Sequence, residues 1–451
     1  MGQKERIPVV AIFDVGKTNK KLFLFDEHYQ IIFEKSARFL ETVDEDGDPC
    51  ENIESLRLSV FDSLHEIFRK TEFEVKAINF TSYGASFVLI KEDGQPLTPL
   101  YNYLKAYPQE LKDELHNQYG GLEKFSLDTA SPDLGSLNSG LQLFRVKKER
   151  PQVFKDIHCA LHLPQYLSFL LSGKLYSDKT SIGCHTALWD YHKQDYHQWV
   201  KDNGIDEKLA PVVEADEVFS ANFPGSTFVI GSGLHDSSSA LIPYLLNFHE
   251  PFVLISTGTW CISLNPFNHS PLTKSELEQD CLFYLSYAGD PVKASRLFAG
   301  HEHDVQSKRI ADHFAVTTAK FRNMDIDWNL IEALQKKETS DELDAFSKLD
   351  LNQFKDYKEA YHSFMLHLVK AQVRSTNLIM DQGKISRVFV DGGFSKNSIY
   401  MNLLAKEYPQ VEVYAASMAQ ATAVGAALAI HEHWNTLPVP NDLIELRFFR
   451  A

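Results

Sequence analysis

The feature that most constrains this chain is a unit of two apolar runs joined by a glycine turn, which occurs twice. The first copy joins residues 9–13 to residues 20–25, and the second joins residues 252–255 to residues 260–264. Short runs rich in strand-forming residues on either side of a glycine turn predict a pair of β-strands. Each copy therefore predicts a strand, a tight turn and a second strand.

The turns of the two copies also align with each other. Asp14-Val-Gly16 and Ser256-Thr-Gly258 place their glycines at the same offset after the first strand. This alignment predicts two halves of one plan, meeting across a cleft, with a boundary near residues 240–250. The alternative is that the resemblance is accidental, because apolar runs around a glycine occur in many folds.

Strand and helix patterns alternate through the rest of the chain. Strands are predicted near residues 31–39, 75–80, 87–90, 387–390 and 411–414. Apolar residues at three- and four-residue spacing between 53 and 67 predict a helix with one buried face. Helices are also predicted over 164–171, from 396 onwards with Ser395 as its N-cap, and over 419–430. This alternation is typical of an α/β protein.

Charge and cysteine content limit the partners and the compartment. The 451 residues carry a formal net charge of −16, and such an acidic surface repels nucleic-acid backbones. The longest apolar stretches fall short of the roughly 20 residues that a membrane helix needs. Five cysteines without C-x-x-C spacing fit a reducing compartment. We therefore expect a cytoplasmic protein with neither a nucleic-acid nor a membrane partner.

Three local motifs suggest chemistry that their surroundings do not support. Gly16-Lys17-Thr18 resembles the end of a Walker A loop, but Ala11 stands where its first glycine belongs, and a strand is predicted to follow instead of a helix. His301-Glu-His303 lacks the i, i+4 spacing of a helical zinc pair, and solvated loop histidines are the favoured interpretation. Cys184-His185 carries little weight as a nucleophile–base pair, because adjacent residues of an extended chain point to opposite faces.

The segment Gly231-Ser-Gly-Leu-His235-Asp236 has a stronger claim to function. A predicted strand over 228–230 leads into this glycine loop, which presents one carboxylate before a helix. Taken alone, an aspartate here is most simply a helix cap. The loop lies at the predicted junction of the halves, however, and open α/β sheets bind ligands beyond the carboxyl ends of their strands.

Taken together, these motifs resemble those of the FGGY carbohydrate kinases, of the actin–hexokinase–Hsp70 superfamily, with the nearest likeness in L-rhamnulokinase and L-fuculokinase. Six segments match in the family's order and span nearly the whole chain. They are Asp14 to Lys21 (first phosphate loop), Ala77 to Gly84 (sugar-side strand), Leu161 to Gly173 (helix), Gly233 to Asp236 (catalytic loop), Ser256 to Trp260 (second phosphate loop) and Asp391 to Asn397 (adenosine loop).

The resemblance implies a two-domain actin-like ATPase fold, of the ribonuclease H-like type, with a cleft between domains 1–243 and 244–451. It implies ATP-dependent phosphorylation of a small sugar, with Asp236 as general base and Asp14 at Mg²⁺. It places the sugar at Tyr83, Gly84, Asn138 and His235. The ATP-binding residues it implies are Gly16, Thr18, Lys21, Thr257, Gly258, Thr259, Gly392, Gly393 and Asn397.

Two positions depart from the family pattern. Lys17 stands where Thr, Ser or Ala is usual, and Asp391 replaces the first glycine of a common Gly-Gly-Gly. A ketose or deoxyketose such as L-rhamnulose or L-fuculose is the expected substrate, while the oligomeric state stays open, a homodimer included. The alternatives are a nucleotide-dependent interaction protein of the actin or Hsp70 type and a sugar-binding relative without catalysis.

Overall fold

A computed structural model describes residues 6–17, 20–37, 41–336, 343–381 and 384–450. Thr18, an expected phosphate contact, lies outside these residues. The strands of the first half are β1 (Ile7–Val15), β2 (Lys20–Phe25), β3 (Ile31–Ala37), β4 (Glu41–Val43), β5 (Pro49–Glu51), β6 (Phe73–Ser82), β7 (Phe87–Ile90), β8 (Cys159–His162), β9 (Ser177–Asp178), β10 (Trp189–Asp190), β11 (Asp195–Tyr196), β12 (Val212–Val213), β13 (Val218–Ser220), β14 (Val229–Gly231) and β15 (Leu234–His235). Its helices are α1 (Ile53–Phe68), α2 (Gln109–Gln118), α3 (Gly121–Asp128), α4 (Ser139–Glu149), α5 (Pro151–Asp156), α6 (Leu163–Ser172), α7 (Lys179–Ile182), α8 (Gln198–Asp202) and α9 (Asp236–Asn247).

The second half has fewer and longer elements. Its strands are β16 (Phe252–Thr257), β17 (Cys261–Asn265), β18 (Cys281–Leu285), β19 (Pro291–Leu297), β20 (Arg387–Gly392), β21 (Glu412–Ser417) and β22 (Glu445–Phe449). Its helices are α10 (Lys274–Glu278), α11 (Ala299–His313), α12 (Trp328–Gln335), α13 (Tyr357–Asn377), α14 (Ser398–Glu407) and α15 (Ala421–Ala429).

Each half is built on a seven-stranded mixed sheet. In the first, the strand order is β13-β14-β6-β1-β2-β3, with β15 also pairing with β6. Strand β1 runs antiparallel to β2 and parallel to β6. In the second, the order is β18-β19-β17-β16-β20-β21-β22, and β16 runs antiparallel to β17 and parallel to β20. The two opening hairpins thus occupy equivalent places, which confirms the predicted repeat and the actin-like α/β fold.

The predicted elements are present, with one correction at a helix start. The helix of the adenosine loop begins at Ser398, and its N-cap is Asn397 instead of Ser395, because the Asn397 side chain accepts a hydrogen bond from the Tyr400 N–H. Residues 394–396 form a short 3₁₀ turn before it. The five cysteines are free and buried.

The two halves meet along α9 and α15. Gly425 of α15 packs directly against the main-chain oxygen of Ser239 on α9. Ser239 Oγ donates a hydrogen bond to the Thr422 carbonyl at 2.8 Å, and Asn79 Nδ2 of β6 donates to the Ala426 carbonyl at 2.8 Å. Alanines on α15 allow this close approach and let the helix cover the first sheet. Among the residues that the structure describes, no helix has the length and apolar character to cross a bilayer.

Candidate active site

The carboxyl ends of three neighbouring strands bring the two predicted catalytic carboxylates to one edge of the first sheet. Asp14 of β1 is in register with Thr81 of β6. On the other side of β6, Leu234 pairs with Thr81, and Asp236 follows two residues later as the first residue of α9. The two carboxylates are close enough to interact electrostatically, because the charge of Asp236 contributes to the raised pKa of Asp14.

The Asp236 carboxylate is anchored through a single oxygen. Oδ1 accepts a hydrogen bond from the Ser237 N–H at 2.6 Å, with Ser237 Oγ at 3.3 Å and His235 Nε2 at 3.2 Å. None of the described residues donates a hydrogen bond to Oδ2, and the Asp236 side chain is 31% exposed. Asp236 therefore keeps one acceptor oxygen without a hydrogen-bond partner among the described residues.

His235 is buried behind this carboxylate. Its ring stacks on Tyr284 of the second half, with centroids 5.6 Å apart, and its Nε2 lies 2.9 Å from Cys184 Sγ. Gly84 lies against the same ring and thiol, with no room for a side chain. Burial lowers the pKa of His235 and raises that of Cys184, so both groups are neutral near pH 7.

Asp14 has the surroundings of a cation ligand. Its Oδ2 accepts a hydrogen bond from Thr422 Oγ1 at 2.5 Å, and burial raises the pKa of its carboxyl to about 6. A nearby cation would offset that cost of burial. In the described part of the chain no group of three or more His, Cys, Asp and Glu side chains could hold a metal. Magnesium bound to phosphates, however, needs only one or two carboxylates.

The second phosphate loop is held against the adenosine loop. Thr257 Oγ1 donates to the Asp391 carbonyl at 2.5 Å and accepts from the Phe394 N–H at 3.0 Å. The Thr257 carbonyl accepts from the Gly393 N–H at 3.0 Å. These bonds join β16 to the end of β20 and fix both loops at the same wall of the cleft.

A cavity of about 730 Å³ opens beside these loops. Five of the predicted ATP contacts line it, namely Thr257, Gly258, Thr259, Gly393 and Asn397. Phe321 and Tyr361 stack on one another in its wall, with centroids 4.5 Å apart. Its volume and its mix of backbone, aromatic and polar groups suit a nucleotide.

His303 is a cavity residue that sequence reasoning missed. The structure places His301 and His303 on α11, which corrects their interpretation as loop histidines. His303 Nε2 lies 2.9 Å from the Tyr361 hydroxyl, and Asn397 Nδ2 donates to that hydroxyl at 2.9 Å. The sequence singled out His303 only as part of the His301-Glu-His303 pair, which gave no reason to place it in this cavity.

Gly16 and Gly392, two of the predicted ATP contacts, lie at the ends of strands β1 and β20. Gly16 follows β1 directly, and Lys17 separates it from residues 18 and 19, which lie outside the described ranges. Gly392 closes β20 and lies against the Thr257 carbonyl, just outside the cavity lining. Lys21 shares a sheet face with Asp14, its cross-strand neighbour, but its ammonium group pairs with Glu34 at 2.6 Å.

A buried charged cluster adjoins the predicted sugar side. Glu51 accepts a hydrogen bond from the Tyr83 hydroxyl at 2.9 Å and pairs with Lys17 at 3.2 Å and Lys20 at 3.3 Å. The Lys17 ammonium group also lies 5.4 Å from the ring centre of Tyr103. Lys17 is therefore directed to the Tyr83 side of the cleft, and Glu51, which belongs to no motif, was not predicted.

Asn138 lies at the start of α4, and both the nitrogen and the oxygen of its side-chain amide are hydrogen-bonded. Its Nδ2 donates to the His185 carbonyl at 2.8 Å, and its Oδ1 accepts from the Leu134 N–H at 2.7 Å. The side chain is 2% exposed. In this structure Asn138 connects two loops of the sugar side, and its contact with a sugar stays a prediction.

Comparisons with known proteins match nearly the whole chain. Residues 9–242 match the model for the FGGY family of carbohydrate kinases, N-terminal domain, and residues 249–438 match that for carbohydrate kinase FGGY, C-terminal domain. A rhamnulokinase of Halalkalibacterium halodurans is 24% identical over 55% of this chain and 52% of its own length. An L-fuculokinase of Escherichia coli is 22% identical over 56% of this chain and 55% of its own. The chain thus spans about half the length of the curated relatives it matches.

Solved structures share the fold over nearly the full length. A carbohydrate kinase from Novosphingobium aromaticivorans superposes with a TM-score of 0.79 at 22% identity, covering 99% of this chain and 95% of that one. A ligand-bound xylulose kinase from Lactobacillus acidophilus also gives a TM-score of 0.79, at 15% identity, covering 98% and 93%.

Proposed function

Since this chain belongs to the FGGY family of carbohydrate kinases, we propose that it transfers the γ-phosphoryl group of ATP to a hydroxyl of a small sugar. The observation that carries this proposal is the free oxygen of Asp236. Asp236 keeps 31% of its side chain exposed, and it begins α9 directly after β15, which pairs with the strand end next to Asp14. Phosphoryl transfer needs mainly alignment and charge neutralisation, and both requirements suit such a cleft.

In the proposed reaction, Asp236 accepts the proton of the attacking sugar hydroxyl. The backbone of Gly258 and Thr259 would contact phosphate oxygens, and the 730 Å³ cavity would hold the adenosine. Asp14 would bind Mg²⁺, which supplies charge neutralisation on the phosphates. Packing of the two halves over the cleft would exclude water, the competing acceptor.

We propose a ketose or deoxyketose as the acceptor, on the strength of the named relatives, a rhamnulokinase and an L-fuculokinase. An ADP-coupled assay over rhamnulose, fuculose, xylulose, ribulose, glycerol and erythritol would test it. We expect one of the four ketoses to give the highest kcat/KM. Equal ADP release with and without sugar would instead support a nucleotide-dependent interaction protein, and ATP binding without turnover a non-catalytic relative.

Asp236→Asn tests the general base directly. We expect kcat to fall by about 10²–10⁴-fold, the usual contribution of a general base, while ATP binding is retained. Asp62→Asn, on the exposed face of α1, is the matched control and should keep wild-type kcat. Turnover of Asp236→Asn within a few-fold of the wild type would remove Asp236 from this role.

A further inference from the structure

Lys17 lies at the same sheet edge as the proposed general base. Strands β1 and β15 flank the end of β6, and the last residues of both are in register with Ser82, the last residue of β6. Lys17 follows β1 by two residues, Tyr83 follows β6 directly, and Asp236 follows β15 directly. Neighbouring strands are about 4.8 Å apart, so the chain segments that carry Lys17 and Asp236 leave the sheet about 10 Å apart, on opposite sides of β6.

The Lys17 side chain is directed toward two aromatic rings at this edge. Its Nζ lies 5.6 Å from the ring centre of Tyr83 and 5.4 Å from that of Tyr103, and the two rings are 5.7 Å apart. Burial raises the pKa of Tyr103, and the charge of Asp236 adds to this effect. Tyr103 therefore lies next to Lys17 and within electrostatic range of the proposed base.

Two ammonium groups share one carboxylate beside these rings. Lys17 Nζ lies 3.2 Å from Glu51 Oε1, and Lys20 Nζ lies 3.3 Å from Glu51 Oε2. The side chains of Lys20 and Glu51 are 8% and 7% exposed, whereas that of Lys17 is 29% exposed. An ammonium group has three N–H donors, and none of the described residues accepts a hydrogen bond from that of Lys17. Lys17 is therefore the member of this cluster that a ligand can reach.

The segments that carry Glu51 and Tyr103 are tied to each other. Glu51 forms a β-bridge with Leu100. Lys105, two residues after Tyr103, pairs at 2.5–3.1 Å with three carboxylates of the turn between β4 and β5, those of Asp44, Asp46 and Asp48. The groups around Lys17 are thus fixed before a ligand binds, and such preorganisation lowers the entropic cost of binding.

We propose that Lys17 is an acceptor-binding residue: its ammonium group donates to an oxygen of the sugar other than the hydroxyl that is phosphorylated. This inference rests on the proposed function of the chain as a sugar kinase. Asp236 takes the reacting hydroxyl, and Lys17 leaves the sheet on the other side of β6, so the two residues hold different parts of the acceptor. Lys17 belongs by sequence to the first phosphate loop, which makes a phosphate contact the alternative that the test must distinguish.

Lys17→Met tests this by removing the donor while keeping an unbranched apolar side chain. We expect the KM for the preferred ketose to rise about 10–100-fold, the equivalent of one hydrogen bond to a charged group. The kcat and the KM for ATP should stay within about threefold of the wild type, because the contact is made equally before and during the reaction. Lys35→Met is the matched control, since Lys35 is 31% exposed and pairs with Glu66 at 2.8 Å on α1, and it should keep both KM values.

The two KM values separate the acceptor from the nucleotide. An equal or larger rise in the KM for ATP would overturn the inference, because it would place Lys17 at the phosphates. Wild-type values of both KM would overturn it as well, since Lys17 would then touch neither substrate. A wild-type protein that phosphorylates none of the sugars would instead refute the proposed function, so the two failures are distinguishable.

Lys17→Thr covers the case in which Lys17→Met is unstable. It introduces a residue that FGGY kinases commonly have at this position, and it leaves Lys20 to pair with Glu51. We expect the same rise in the KM for the ketose at a wild-type Tm, together with a weaker Kd for the ketose in calorimetric titration without ATP. A KM that rises only in a variant with a lowered Tm would overturn the inference, because it would report damage to the surrounding wall instead of a lost contact.

Discussion

The carboxyl group of Asp391 lies at the edge of the nucleotide cavity with two neutral partners. Its Oδ2 accepts from the Tyr244 hydroxyl at 3.1 Å and its Oδ1 from the Gly392 N–H at 2.7 Å. Burial raises the pKa of this carboxyl. Because neither partner is a cation, the ionised form is only partly compensated, and this departure from the usual glycine has an energetic cost.

Asp391→Asn should raise the thermal stability of the nucleotide-free protein at pH 8. A raised native pKa means that the folded state binds more protons at Asp391 than the unfolded chain does. The folded protein therefore becomes less stable as the pH rises through the native pKa of Asp391. We expect a higher Tm than wild type at pH 8 and a difference that narrows as the pH falls toward 4. A Tm difference that is independent of pH would contradict this account, and Asp62→Asn is the control.

Individual site residues differed in how far the sequence could identify them. Asp14 and Asp236 stand in short motifs at strand ends, so their meeting at one edge of the sheet followed from the order of the motifs. Glu51 contacts the site from the short strand β5, and Thr422 contacts it from α15 of the other half. Both lie far in sequence from the motifs they contact. Only packing of the whole chain brings such residues together, and no local pattern encodes it.

At the scale of elements, the turn at the end of β20 requires glycine at position 392 but not at position 393. Gly392 has φ near +91°, and a Cβ there would lie 2.0 Å from the Thr257 carbonyl oxygen. Gly393 has φ near −62°, and its Cβ would have no closer neighbour than 4.0 Å. The two glycines therefore have unequal requirements.

We predict that Gly392→Ala lowers the free energy of unfolding by about 1–3 kcal/mol, as overpacking and strain usually do, and weakens ATP binding. Gly393→Ala should change stability by about 0.5 kcal/mol or less. Chemical denaturation and ATP titration of both variants would check this. Equal destabilisation would mean that the Thr257 contact does not restrict this turn.

The elements that the sequence predicted well are those with a strong local pattern. The hairpins of both halves were found because each joins two short, continuous apolar runs at a glycine turn, and α1 was found because its apolar residues repeat at three to four residues. Helix α11 was missed because its buried residues are few and include the polar Gln306 and Ser307, while its first turns are polar. The start of α14 was misplaced by two residues, since Ser395 and Asn397 are both good caps and only the observed hydrogen bond distinguishes them.

At the scale of the whole molecule, the repeat explains where the site lies. The order of strands around β1 returns around β16, and helices α9 and α15 follow the last parallel strands of the two sheets. Contact between these helices places the carboxyl ends of both sheets on one cleft. The sequence predicted this arrangement from two glycine turns, but the boundary at residue 243 stays a prediction, because α9 runs through it.

Gly425→Ala tests whether the close helix contact sets the relation of the two halves. Inside a helix, Gly→Ala ordinarily stabilises by about 1 kcal/mol. Here the added Cβ would lie 1.8 Å from the Ser239 carbonyl oxygen, so α15 would have to move away from α9. That movement would also strain the bond between Thr422 and Asp14.

We therefore expect the opposite sign: a loss of about 1–3 kcal/mol in the free energy of unfolding and a fall in kcat. Gly393→Ala, where a methyl group has room, is the matched control for stability. Calorimetry and steady-state kinetics on the two variants would measure both effects. A rise in Tm for Gly425→Ala would show that helix propensity outweighs the contact between Gly425 and the Ser239 carbonyl oxygen. The packing of α9 on α15 would then not be what holds the carboxyl ends of the two sheets together.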